Sequence, residues 1–501
     1  MKNTEEQNCV VQSNANCLVV NAFAGTGKTS TLIDYAKARP KERMYYLAFN
    51  RAVKDEAMSR FPSNVRCVTT HGLAYKDFGV AYKNKLGQPK PASIAKMFKC
   101  NYATATSACD TINNYLCSSD NVLSETHVSA GLSNNMADIA LYTAKQIWEK
   151  MRDTSNVYVR MPHDGYLKLY QLSQPRINAD VIMVDEAQDS NTLVLDIVGK
   201  QNSRKIYVGD QNQAIYAFRK AIDALNKVEA EQYLNLTASF RFGPGIASLA
   251  TLLLKDWKNE KKHILGLGKN KTNFSVNQSG PHSVLARTNS GLFDAAITAL
   301  NSGNPFGYMG GYEGYRLDMI LDAYNLKKGL GNITDPTVLL FPSYEELENY
   351  ATTVDDKELK MLIRVIDKYG VEIPSLINQL KTKSIRNLTN NEIILTTAHK
   401  AKGMEFNSVV LLDDYTDLKV TIDDNGQEVV PDTEDINILY VAATRAITNL
   451  KLNEKTTDWL VELDMTLKVQ RGEKIDNFVG FQEKQIQKFK NLILENKKLN
   501  S

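Results

Sequence analysis

Residues 21–30 read NAFAGTGKTS and follow directly on the apolar run CLVV. Two glycines, a lysine and a hydroxyl at this spacing are the parts of a phosphate cradle. Gly25 and Gly27 let successive backbone N–H groups face an anion, Lys28 neutralises the outer phosphates, and Thr29 offers a hydroxyl to Mg2+. The stretch departs from G-x-x-x-x-G-K-[ST] only at Ala22, which stands in place of the first glycine. In VIMVDEAQD (181–189) an apolar run carries Asp185 and Glu186 to its end, where adjacent carboxylates are costly without a cation. Asp185 is the candidate Mg2+ ligand, through water, and Glu186 the base that orients and deprotonates an attacking water. GDQNQAIYAFR (209–219) adds Asp210 and Gln213, and a glutamine near a γ-phosphate both senses it and helps place the water. That segment continues into Tyr216, Phe218 and Arg219, whose aromatics suit either a coupling surface or the core.

These residues need elements that present them together. Short apolar runs that end in polar residues occur at 17–22, 45–50, 181–189 and 205–213, and again at 282–288, 392–399 and 408–414. Continuous apolar strands separated by helical stretches predict parallel sheets covered on both faces, with ligands at the carboxyl ends of the strands. Two such sets predict an α/β chain with two doubly wound domains. Residues 76–170 are polar and helix-leaning, and 330–388 read as charged amphipathic helices, so both are expected as insertions. The expected division is 1–75 with 171–236, the insertion 76–170, then 237–329 with 389–465, the insertion 330–388, and a tail at 466–501. That tail carries eight Lys/Arg against four Asp/Glu.

Composition sets bounds. A chain of 501 residues exceeds one hydrophobic core, while 43% apolar and 23% charged residues are ordinary for globular protein. A net charge of +3 means that any basic groove is local. The six cysteines (Cys9, Cys17, Cys67, Cys100, Cys109, Cys117) form no CxxC pair, which points to free thiols in a reducing compartment. The loose cluster of Cys100, Cys109 and Cys117 fits no common zinc spacing. The polar start MKNTEEQNCV is unlike a secretory signal, and no apolar run reaches the ~20 residues of a membrane span. The expectation is a cytoplasmic protein, nuclear if the source is eukaryotic, with no membrane partner.

Taken in order, these stretches resemble the superfamily 1 DNA helicases of the UvrD/Rep/PcrA type over roughly residues 4–450. TEEQ resembles the adenine-reading segment, AFAGTGKT motif I, AFNRAVKDEA motif Ia and VTTHGLA motif Ib. DEAQD resembles motif II, GDQNQAIYAFR motif III, ASFRF motif IV, TAHKAKGMEF motif V and LYVAATRA motif VI. The wording of Ia and Ib resembles the helicase part of F-box DNA helicases and their small phage or bacterial relatives.

The resemblance implies two RecA-like domains, 1A and 2A, each with an inserted subdomain, 1B and a short 2B. It implies a 3′→5′ ATP-dependent motor that uses ATP and Mg2+ on single-stranded DNA and on tailed or forked duplex. Recombinase filaments and single-strand-binding protein are further candidate partners. An alternative is an ATPase translocase that remodels such filaments, or serves a larger complex, with little unwinding alone. For ATP it implies Gln7, Ala24, Gly25, Thr26, Gly27, Lys28, Thr29 and Ser30 from the first domain, Phe240 stacking on adenine and Glu405 at the ribose. Arg241 and Arg445 resemble arginine fingers that the second domain supplies, so that hydrolysis and closure become one event. Phe49, Asn50, Thr69, His71, Tyr216, Phe218, Arg219, Thr397 and His399 resemble the residues that touch the single strand, where stacking grips any base. Ser30 and Phe218 depart from the family, which often has arginine and tryptophan there.

Overall fold

The computed structural model describes residues 2–216, 224–353, 356–422 and 426–470. The chain forms two compact units, Met1–Thr237 and Ala238–Ser501.

In the first unit, strands β1 (Cys17–Ala22), β2 (Met44–Ala48), β3 (Val65–Thr69), β4 (Val181–Val184), β5 (Arg204–Gly209) and β6 (Gln232–Leu236) form one sheet in the order β3-β2-β4-β5-β1-β6. Every pairing in it is parallel. Alternation divides the buried side chains between the two faces. Leu18, Val20, Tyr46, Met183 and Val208 pack with Val10, Leu32 and Tyr35 of the helices Glu5–Gln12 and Lys28–Lys37. Val19, Leu47, Ile182, Val184 and Tyr207 join one core with Ile112, Tyr115, Ile147 and Trp148. Those last four lie on the helices Tyr102–Cys117 and Asn134–Arg152, within the segment expected as an insertion. That segment shares the sheet's core and is mainly helical, as anticipated.

Between β6 and the second sheet lies a short parallel pair, β7 (Ala238–Ser239) and β8 (Leu265–Gly266). The second unit repeats the plan with β9 (His282–Ala286), β10 (Phe306–Tyr308), β11 (Ile393–Thr397), β12 (Phe406–Leu411) and β15 (Ala446–Lys451). Their order is β10-β11-β9-β12-β15, again all parallel. A small antiparallel pair, β13 (Thr421–Ile422) and β14 (Glu428–Val429), precedes β15 in the chain. One face of this sheet packs on the helix Gly291–Ser302 and shares a single cluster with the helices Leu317–Lys327, Tyr344–Thr353, Lys357–Tyr369 and Ile373–Lys383. The charged stretch around 343–370 is thus helical, its apolar stripe turned to the core. The tail expected at 466–501 begins as the end of the helix Glu454–Gln470, and its residues 471–501 lie outside the described residues.

All six cysteines are free, and no group of His, Cys, Asp or Glu among the described residues could hold a metal through three or more such ligands. No described helix is long and apolar enough to cross a membrane.

Two buried lysines fasten the first unit's insertion. Lys168 is fully buried, donates to the carbonyls of Ser118 (3.0 Å) and Asp120, and lies 4.4 Å from the centre of the Tyr115 ring. Lys85 donates to the carbonyls of Lys150 and Asp153 at 3.0 and 2.8 Å. Each side chain thereby satisfies carbonyls left open where a helix ends. Replacing Lys168 by Met strands its carbonyl partners and is expected to cost about 1–3 kcal/mol of unfolding free energy, measured by urea titration. Burial pulls the Lys168 ammonium down from 10.5 to about 8. Below pH 8 the folded chain bears the full cost of that buried charge. Between 8 and 10.5 the unfolded chain binds more protons, so wild type should gain stability over Lys168→Met as pH rises through this window.

Candidate functional site

The three sequence stretches that open the chemistry leave the carboxyl ends of three neighbouring strands, β4, β5 and β1. After β1 the chain turns through Gly25 (φ 73°) and Gly27 (φ 79°), both left-handed, which is the conformation glycine adopts freely. Gly27 caps the helix Lys28–Lys37 without any side-chain hydrogen bond, so no side chain competes for its first-turn N–H groups. Thr26 and Ala24 are buried, and the Thr26 hydroxyl donates to the Phe23 carbonyl (2.9 Å). Gln7 is 5% exposed and braces this turn from the helix Glu5–Gln12. Its amide donates to the Thr26 carbonyl at 3.2 Å, and its oxygen accepts from Thr4 N–H at 3.0 Å. Gln7, the side chain expected at adenine, thus stands directly against the glycine turn.

Lys28 Nζ stands 3.9 Å from Glu186, and the Thr29 hydroxyl donates to Asp185 across 3.3 Å. Asp185 also accepts from the Tyr46 phenol and from Glu186 N–H (2.9 Å). Burial, and then the Glu186 carboxylate beside it, push Asp185 above the ordinary carboxylate range, while the bond from Tyr46 pulls back. Buried Asp185, half-buried Glu186 and the Thr29 hydroxyl supply oxygens that suit Mg2+, which binds few carboxylates and keeps its waters, while Lys28 adds a positive charge suited to phosphate. Glu186 adopts φ 50°, uncommon outside glycine, and its carboxylate accepts from Gln188 Nε2 at 2.6 Å. The same Gln188 accepts from Asp210 N–H at 3.0 Å, and Gln213 donates to Asp210 at 2.7 Å. One hydrogen-bonded line therefore runs from Glu186 to Gln213.

Tyr46 and Gln188 were not singled out from the sequence. Gln188 stood within the quoted DEAQD, whereas nothing in YYLAFN marks which tyrosine turns to the acids. Ser30 is exposed and accepts from Arg60 (3.0 Å), so a guanidinium from the helix Arg51–Arg60 stands at the position where relatives often have arginine.

The residues expected to touch a strand also follow strand ends. Asn50, Thr69 and Thr397 each cap the helix that follows, accepting from Val53, Gly72 and Lys400 N–H respectively. A cap uses an acceptor, which leaves the Asn50 amide and the two hydroxyl protons as donors suited to an anionic backbone. Phe49 and Tyr216 stack with ring centres 5.5 Å apart and planes 16° from parallel. Phe218 and Arg219 lie outside the described residues. His71 meets Asp164 at 3.0 Å. His399 sits half-buried on the short helix Ala398–Ala401.

In the second unit, Arg241 donates to Glu405 (2.7 Å) and to the Thr444 carbonyl (2.9 Å), with half-buried Phe240 beside it in the chain. Arg445 is 1% exposed and donates to the Val441 carbonyl at 3.0 Å and the Met404 carbonyl at 3.3 Å. The fold thus gathers Arg241, Glu405 and Arg445 from three separated segments.

The AAA domain family matches residues 6–219, and the UvrD-like helicase C-terminal domain matches residues 337–455. F-box DNA helicase 1 of Gallus gallus is 33% identical over 469 residues, which is 85% of this chain and 46% of that protein. F-box DNA helicase protein 1 of Schizosaccharomyces pombe is 31% identical over 512 residues, 91% of this chain and 58% of that one. The chain spans about half the length of these curated relatives.

Gly209 ends β5 with no room for a side chain, since a Cβ there would fall 2.1 Å from Gln188 Oε1. Gly209→Ala is expected to displace Gln188 and cost about 1–3 kcal/mol in chemical denaturation, with nucleotide turnover falling alongside.

Proposed function

The chain belongs to the UvrD-like superfamily 1 helicases, and on that premise we propose that it is an ATP-driven motor on DNA. It moves 3′→5′ along a single strand and parts duplex or displaces bound protein, in the cytoplasm or, in a eukaryote, the nucleus. The observation that carries the reading is the convergence of Lys28, Thr29, Asp185 and Glu186 with the Asp210–Gln213 pair, whose segment runs on to the Phe49–Tyr216 stack.

In this reading the N–H groups of residues 25–29 cradle the phosphates, and Lys28 neutralises them. Glu186 takes the proton of the attacking water, and its ties to Lys28 and Gln188 fix where its carboxylate points. Thr29 and Asp185 would hold Mg2+, which when bound supplies charge neutralisation at the phosphates. Gln213 registers the γ-phosphate, and the chain from it to Tyr216 carries the change to the bases stacked there. Arg241 and Arg445 are the proposed fingers; to meet phosphate, Arg241 gives up Glu405, and Arg445 its carbonyl partners. Such groups are worth roughly 10³–10⁵ in rate.

Lys28→Ala should abolish ATP turnover while single-strand binding persists; equal loss of both contradicts this division of labour. Strand displacement on duplexes with a single 3′ or 5′ tail tests direction, and displacement confined to the 5′ tail overturns it. Strong single-strand-stimulated ATPase without displacement would instead favour a translocase.

A further inference from the structure

We propose that Asp164 is a positioning residue for the strand contact made by His71, so that the helical insertion sets the first unit's grip on DNA. This rests on the motor reading above. His71 lies on the helix Thr70–Tyr75, which starts where β3 ends. Asp164 lies in the first turn of His163–Leu172, the last helix of the insertion, and the two helices pack together. Ninety-three residues of chain separate the pair, yet His71 Nε2 and Asp164 Oδ1 are 3.0 Å apart.

A carboxylate only accepts, so Nε2 carries the ring proton it donates. Nδ1 then remains as the polar atom of the ring without a hydrogen bond among the described residues, on a side chain 36% exposed. Fixing one imidazole nitrogen determines what the other offers a ligand. The ring is also held from its sides. His163 packs edge-on with centres 5.6 Å apart, and Tyr166 does so at 6.3 Å. His163 is itself tied through Nδ1 to the Tyr166 hydroxyl at 2.9 Å, and Tyr166 is 2% exposed in the shared core. Burial, and then His71 nearby, lower His163 below the ordinary imidazole range, which favours its neutral form as an uncharged flank. The orientation of His71 is therefore decided by residues 163–166 of the insertion, whose backbone is anchored in the core beneath the sheet.

The test uses the full chain and an oligothymidylate, with ATPase followed as DNA is titrated. Asp164→Ala should raise the half-saturating DNA concentration about tenfold, as expected for loss of the hydrogen bond that fixes the ring, with kcat at saturating DNA within about twofold of wild type. Asp164→Asn, whose Oδ1 still accepts from Nε2–H, should restore most of that loss. In a His71→Ala background, Asp164→Ala should add nothing. The inference is overturned if the Asn variant is as weak as the Ala variant at an unchanged melting temperature, or if Asp164→Ala costs as much without His71 as with it. ATPase indifferent to DNA in the unaltered chain would overturn the motor reading and this inference with it. DNA-stimulated ATPase with no coupling between the two positions would overturn this inference alone.

Discussion

Two neighbouring carboxylates at the end of a strand buried on both faces are the demand around which the first unit is arranged. Asp185 follows β4, which lies between β2 and β5, and its side chain is almost fully buried. An unpaired charge there would be prohibitive, and each adjoining element supplies a partner. The helix after β1 contributes Thr29 and Lys28, β2 contributes Tyr46, and the turn after β4 contributes Gln188. The left-handed backbone of Glu186 and the absent side chain of Gly209 are local concessions to the same demand.

The two units solve their packing problem alike. Each has a wholly parallel sheet, which must be covered on both faces, and in each the helical insertion joins the hydrophobic cluster on one face. The insertions are consequently part of the core. Their charged surface sequence conceals this, because only one stripe of each helix faces that core. Burying Lys85 and Lys168 against carbonyls at helix ends extends the logic, since the cations close hydrogen bonds that an apolar core could not.

Strand ends are where side chains do double service. Asn50, Thr69 and Thr397 fold the chain by capping the next helix, and the cap uses an acceptor while leaving their donors uncommitted to it. Gln7 braces the glycine turn, while Arg241 and Arg445 are parked on a carboxylate and on backbone carbonyls. Gln7, Arg241 and Arg445 are thus already hydrogen-bonded within the chain, and any new partner would have to exchange bonds with them.

The strands β1, β2, β4, β5, β9, β11 and β12 are legible in the sequence as apolar runs, whereas β3, β6, β10, β15 and the two-residue strands β7, β8, β13 and β14 are not. Of these, β3, β6, β10 and β15 are the edges of the two large sheets. Interior parallel strands are buried on both faces and read as unbroken apolar runs. Edge strands such as VRCVT and QYLNL keep polar, half-exposed positions and lose that signature. Chemistry carried by contiguous residues was equally legible: the glycine turn with Lys28 and Thr29, the acids of DEAQD, and the strand-end glutamine. Only the tertiary structure decided the pairings across long separations, Tyr46 with Asp185, Arg60 with Ser30, His71 with Asp164, and Arg241 with Glu405 and Thr444. Local spacing records which residues can do chemistry. Which of them touch depends on strand order and helix packing, and these arise from burial summed over the whole chain.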